Sequence, residues 1–334
     1  MSLPIVPSAT PSTTATAATG AATLGATLAA LLTGACALAP TDEPTADTTA
    51  AVAGTGTLGF VRERKISQVL PLSGINDYEA SGVQLVGDQL YIVFDNMTKI
   101  GHVSLDLLSG AYASGGSSST QSQYEAITLD AHGTQHLYVA VEQSAAQVVQ
   151  YDTAASGSSA STQTTNVTLP SANKAFEGLA WVWRNNNDYL LGLCEGFDCT
   201  GNHGGAGGRG AIRVMAQTSG SWTADPTVLY LPDAVRFLDY SDLALWPNAD
   251  GTYKVAVTSQ ESKALWIGTL SGTSWSFLGD GTIYSMPSAD YCNVEGVTFL
   301  SATRVALVSD MSDPKTDPVG CNNKDEMVHI FDLR

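Results

Sequence analysis

An all-β fold is predicted by three features of the sequence. Short runs rich in β-branched and aromatic residues recur along the chain, separated by Gly, Pro, Asn, Asp and Ser, which is the composition of strands and turns. Long windows of helical periodicity are missing. A five-fold repeat is legible, and its key position reads Ser81, Glu125, Glu177, Ser241 and Glu295, at spacings of 44, 52, 64 and 54 residues. Each key oxygen opens a short apolar run: Ser81-Gly-Val-Gln-Leu, Glu125-Ala-Ile-Thr-Leu, Glu177-Gly-Leu-Ala-Trp, Ser241-Asp-Leu-Ala-Leu and Glu295-Gly-Val-Thr-Phe.

Three more strands follow from each unit. The second strands are Leu90–Asp95, Leu137–Glu142, Tyr189–Glu195, Tyr253–Ser259 and Arg304–Asp310. They are near-continuous apolar runs, as strands covered on both faces require. The third strands begin at Ile100, Gln147, Ala211, Ala264 and Met327. The fourth are marked by terminal prolines, Pro71, Pro170, Pro232 and Pro287, because an outer or terminal position tolerates a missing N–H. Before Glu125 a Ser/Gly run, Ser114–Ser122, replaces the fourth strand. Four strands at a period of about 50 residues describe a propeller blade. The chain starts on a fourth strand, Lys65–Leu70, and stops on a third. The prediction is therefore a five-bladed β-propeller, four strands per blade, closed by the N-terminal strand joining the last blade. That closure removes the free edge.

Composition bounds the rest. The chain has 334 residues, 44% of them hydrophobic, enough for one sizeable core. Charged residues make up only 14%, and the net charge is −17. Nucleic acid is excluded as a partner, since phosphates demand basic surface. Residues 1–55 differ from the ring at 56–334: they are Ala/Thr-rich, with an apolar stretch from Ala21 to Ala39. They read as an export signal or anchor followed by a disordered linker, which places the protein outside the cell or on its surface, as a monomer. Cys36 lies in that stretch, in a context like a bacterial lipoprotein cleavage box, so membrane attachment is expected only there. The remaining cysteines, Cys194, Cys199, Cys292 and Cys321, allow three pairings; Cys194–Cys199 and Cys292–Cys321 is favoured.

In such a ring the first strands line the channel. Their starts share a face with the ends of the second strands. The key oxygens therefore meet Asp95, Glu142, Glu195, Ser259 or Gln260, and Asp310 at one mouth. Three carboxylates and two hydroxyls form an all-oxygen set that suits Ca²⁺, with Ser81, Glu125, Glu177, Ser241 and Glu295 as ligands. No His or Cys stands at a key position, which disfavours zinc and copper. The alternative is that these side chains only tie neighbouring blades together. Basic residues near the mouth are Lys99, Arg209, Lys263, Lys315 and Lys324. The five His residues show no catalytic-triad context, and most of the six Trp residues read as core, with one or two free to stack on sugar.

The Ser, Glu, Glu, Ser, Glu order around a five-bladed ring resembles the calcium-activated apyrase family of secreted nucleotidases. More loosely, the Glu-Gly units are similar to the phytase-like and SdiA-regulated propellers. The resemblance covers about residues 56–334 and implies one axial Ca²⁺. It also implies a small phosphorylated substrate, with Asp95 and Glu142 orienting water. The paired arginines that grip phosphates in the apyrases are not found; the equivalent stretch reads Leu193-Cys-Glu-Gly-Phe. Two readings follow: a calcium-dependent phosphohydrolase, or a non-catalytic surface propeller that binds a protein or glycan, or is purely structural, with Ca²⁺ as a structural ion.

Overall fold

The computed structural model describes residues 53–113, 124–130, 135–142, 145–152, 159–169, 176–197, 199, 208–311 and 323–334. The export segment with Cys36, the run Ser114–Ser122, Lys315 and Cys321 lie outside the described residues.

Strand β1 (Gly54–Lys65) comes first. The strand expected over Lys65–Leu70 is not there; β1 ends at Lys65 and a one-turn helix α1 (Ile66–Val69) follows. Its two buried residues, Ile66 and Val69, lie three apart on one helical face. The Leu70 N–H closes the turn onto the Ile66 carbonyl at 2.7 Å, and Pro71 cannot extend it. A four-residue apolar run carries either period, and the helical one prevails.

Antiparallel four-stranded meanders follow in sequence. The first holds β2 (Ala80–Val86), β3 (Gln89–Phe94), β4 (Met97–Ser104) and β5 (Gly110–Tyr112); β5 is a fourth strand where a Ser/Gly run was expected to replace it, and at three residues it is too short to leave a pattern in the sequence. The second holds β6 (Tyr124–Leu129), β7 (His136–Val141), β8 (Ala145–Asp152) and β9 (Ser159–Thr168). In the third, β10 (Phe176–Arg184), β11 (Asn187–Phe197), β12 (Gly208–Thr218) and β13 (Ser221–Tyr230) are joined by a short β14 (Arg236–Phe237) on β12. The fourth holds β15 (Asp242–Pro247), β16 (Tyr253–Ser259), β17 (Ala264–Leu270) and β18 (Thr282–Ser285). The last has three strands of its own, β19 (Val294–Ser301), β20 (Arg304–Ser309) and β21 (Met327–Leu333). Its fourth strand is β1, antiparallel to β21 from Leu58↔Leu333 to Lys65↔Met327. Strands β9, β13 and β18 each stop just before the proline that marked them.

The first strands form a closed cycle. β2 lies against β6, β6 against β10, β10 against β15, β15 against β19, and β19 against β2. The apolar core follows the same cycle, one cluster at each junction. Val93 and Ile100 pack with Ile127 and Val149. Tyr138 and Ala126 pack with Phe176 and Leu179, Leu191 and Val214 with Val255 and Trp266, and Ala256 and Leu265 with Val297 and Leu307. Ile92 and Phe94 meet Val308 and Ile330 across the junction that closes the cycle. Because each meander is covered on both faces, its second strand carries a near-continuous apolar run, as in Leu90–Phe94 and Val305–Val308.

Glycine lets the first strands approach. A Cβ on Gly178 would overlap the Leu243 backbone of β15, and one on Gly82 would press on Glu125 and Ala126 of β6. Gly296 faces Gly82 in the same way. These glycines each follow a key position, so the Glu-Gly and Ser-Gly pairs combine an oxygen with a close strand crossing.

Candidate functional site

The key residues sit where the ladders slip. In β2, pairing passes from Ala80↔Phe94 to Gly82↔Val93, leaving Ser81 as an extra residue. Glu125 is bypassed between Tyr124 and Ala126, Glu177 between Phe176 and Gly178, and Glu295 between Val294 and Gly296. A bulge of this kind re-aims one side chain without breaking the strand. The same device recurs on four first strands, and Ser241 precedes the fifth.

Electrostatics places the acids of different units together. Burial lifts the Glu125 carboxyl well above the usual carboxylate range, and the negative charges of Glu177, Asp95, Glu142 and Asp310 lift it further. Burial does the same to Glu295, reinforced by Asp310, Glu125, Glu177 and Asp95. Asp310 is raised by burial first, against an opposing hydrogen bond from the Met311 N–H at 2.6 Å, then by Glu79, Asp95 and Asp325. Burial also raises Asp95. Carboxylates from the starts of first strands and the ends of second strands thus share one mouth, where like charges disfavour simultaneous ionisation.

The two key serines already have partners. The Ser81 hydroxyl donates to the Tyr124 carbonyl on the neighbouring first strand. The Ser241 hydroxyl accepts the Gln260 N–H at 3.0 Å and lies 3.4 Å from an Asp239 oxygen. Asp239 in turn accepts from Ser259 and from the Glu261 N–H at 3.1 Å. In this unit the oxygens close the turn between β16 and β17. Among the described residues, no three His, Cys, Asp or Glu side chains stand in an arrangement that could hold a metal ion.

Two acids at this mouth escaped the sequence reading. Glu79 stands beside Asp95, and burial followed by that charge raises its carboxyl. Asp239 is buried. Each precedes a key serine by two residues, whereas the Glu units carry Gln123, Ala175 and Asn293 there. The signal was available: where the key position lacks a carboxylate, one appears two positions earlier.

Of the basic residues named above, the four that are described have partners. Lys324 pairs with Glu63, and Arg209 with Asp233 at 3.2 Å. Lys263 donates to the Ala289 carbonyl at 3.5 Å, and Lys99 lies over the Tyr112 ring. A hydrogen-bonded line also runs from Ser309 through His329 to Glu63, at 2.7 and 3.1 Å. It has the order of a nucleophile, base and orienting acid. Yet Ser309 is 1% exposed and His329 0%, so it serves to tie β20, β21 and β1 together. Cys194 and Cys199 form a disulfide with Cα atoms 5.0 Å apart, at the end of β11. Cys292 is buried.

No family model matches the chain, and no curated protein matches it. Solved structures do. The PQQ-bound aldose sugar dehydrogenase of Streptomyces coelicolor superposes with a TM-score of 0.50 at 14% identity, over 85% of this chain and all of that one. A GH43_1 enzyme of Xanthomonas citri complexed with xylotriose gives 0.48 at 12% identity, over 78% and 87%. An alpha-L-arabinofuranosidase of Lactobacillus brevis gives 0.48 at 12% identity, over 80% and 94%. The chain has a β-propeller fold. At such identities the likeness concerns the path of the backbone and carries no substrate with it.

Proposed function

We propose that the chain is a five-bladed propeller whose acidic mouth binds one divalent cation, Ca²⁺ by the chemistry of its oxygens. Residues 1–55 would export or anchor it, so that it works outside the cell as a binding module. One observation supports the reading: a bulge turns Glu125, Glu177 and Glu295 of separate units out of their ladders, and neighbouring carboxylates add to burial in raising Glu125 and Glu295. A hard cation relieves that repulsion. Glu125, Glu177 and Glu295 are the proposed ligands, with Asp95 and Asp310 beside them and water completing the shell. Side-chain movement must bring them together. Ser81 and Ser241 act chiefly as ties, since both hydroxyls are already bonded.

The phosphohydrolase reading, with Asp95 and Glu142 orienting water, is the second. Against it, Lys324 and Arg209 already face Glu63 and Asp233. Thermal melting with and without Ca²⁺ tests the first reading. A cation held by the folded ring alone, at a hundredfold excess over its Kd, raises Tm by ~5 °C. E177Q should remove most of that rise. An unmoved melting curve in EDTA would rule the cation out. Phosphate release from nucleotides and phosphodiesters, absent with and without Ca²⁺, is the expected result of the parallel assay; calcium-dependent turnover would favour the second reading.

A further inference from the structure

The opposite end of the channel has a different character. A cavity of about 300 Å³ lies there, and all five first strands line it. Its lining begins at the third and fourth residues after the key positions, such as Gln84, Thr128, Trp181 and Thr298. At a strand rise of 3.3 Å per residue that is about 10–13 Å further along the chain. Among the described residues no charged side chain lines it, in a protein whose net charge is −17 and whose other mouth is acidic. Its walls are aromatic: Trp181, Trp183, Trp246, Tyr253 and Phe299. The three Trp residues are partly exposed rather than sealed in the core.

The rings are held in place. The Trp181 indole N–H donates to Asp188 at 3.0 Å. Trp246 leans on Phe299 with centroids 6.5 Å apart. The Tyr253 hydroxyl donates to the Trp183 carbonyl at 3.2 Å. Flat, rigid faces of this kind lose little entropy on binding. Polar groups are few and come from different strands. Thr128 accepts the Trp181 N–H at 3.0 Å, and Thr298 accepts the Leu85 N–H at 3.2 Å. Each hydroxyl retains its own proton for donation. Gln84 lines the same cavity and donates one amide N–H to the Leu85 carbonyl at 2.9 Å, keeping its other N–H and its carbonyl for a ligand.

We propose that this cavity binds a neutral sugar residue, its ring laid on the Trp246 and Trp183 side and its hydroxyls met by Thr128, Thr298 and Gln84. The lack of charge argues against phosphorylated, anionic or cationic ligands, which cannot be desolvated without a partner. The hydroxyls and amide argue against a wholly apolar guest, which would leave them unmatched. The volume lies at the small end of ligand sites, the size of one sugar ring rather than a chain. A pyranose has an apolar C–H face and a polar rim, the complement of aromatic walls carrying isolated hydroxyls. This site is independent of the cation at the other mouth.

Calorimetry and tryptophan fluorescence against D-glucose, D-galactose, D-xylose and the β-1,4-linked tetramers of glucose and xylose test it. Saturable binding of at least one is expected, with EDTA leaving the affinity unchanged. W246A and W183A should each weaken it by about tenfold or more. W246L, which keeps apolar bulk without a ring face, should weaken it equally. Melting curves confirm that each variant is folded, and W183A with W246L decides the matter if W246A is not. No saturable binding to any of the sugars overturns the proposal. So does binding that survives in W246L, or a cavity that takes free indole while ignoring every sugar.

Discussion

At the residue scale, Asp242 differs from its equivalents Gly82, Ala126, Gly178 and Gly296. It is 1% exposed, and its carboxylate accepts two backbone N–H groups, Leu243 beside it and Val297 on the next first strand, both at 2.7 Å. Burial pushes its pKa well up against those two bonds. D242A should therefore strand two buried donors and cost about 3 kcal/mol, read as a lowered midpoint in urea. D242N keeps one acceptor oxygen and should cost less than half as much. Equal losses would mean that the charge, not the tie between strands, is what the position supplies. No repeat pattern reveals this role, because Asp242 occupies a slot where the other units carry Gly or Ala. His329 was opaque for another reason: its partner Glu63 lies 266 residues away, and no local window contains both.

Among the elements, the first strands were the most legible. Their oxygen–small residue pairs mark both a bulge and a close crossing, and both come from the same two adjacent letters. G178A should disrupt the crossing of β10 and β15, since the new methyl would meet the Leu243 main chain, which cannot rotate away. A loss of about 2 kcal/mol or more is expected, with little change for G87A, whose neighbourhood is open, beyond the strain of its φ of +62°. A G178A protein as stable as the parent would show that the first strands are not pressed together. The least legible element was α1. Ile66 to Val69 fits a strand by composition, and only its burial decides for a turn of helix. The aromatic end of the channel was hidden differently. Trp181, Trp183 and Trp246 have the same local context as core residues, and only ring closure turns them towards a common space.

For the whole molecule, pH separates two kinds of acid. Glu125, Glu295, Asp310 and Asp242 all have folded-state pKa values raised by burial. In the metal-free protein the folded state binds their protons more firmly than the unfolded one. Stability is therefore lost as pH rises above their ordinary values of 4.5 and 3.8. Glu63 runs the other way. The His329 hydrogen bond, helped by Lys324, overcomes its desolvation and lowers it from 4.5 to about 2, so its contribution is present above 4.5 and fades below. Burial lowers His329, which adds a loss below its ordinary 6.5. Four raised carboxyls outweigh one histidine between these limits. In EDTA, Tm should be higher near pH 5 than at pH 8, and Ca²⁺ should narrow the gap. A metal-free curve that rises steadily to pH 8 would contradict the crowding of acids at the mouth.

The pairing of β1 with β21 also constrains how the protein is made. The Thr57 main chain exchanges hydrogen bonds with Arg334 at 2.9 and 3.0 Å, so β1, whose start also pairs with β18, completes its pairing only once β21 is made. Contacts this distant along the chain are slow to form. Until β21 is made, the side of β1 that it covers is an unpaired edge, and such an edge is a template for a stray strand. The β1–β21 ladder needs residues 327–333, so a chain stalled before residue 327 is expected to aggregate more readily than the 334-residue chain.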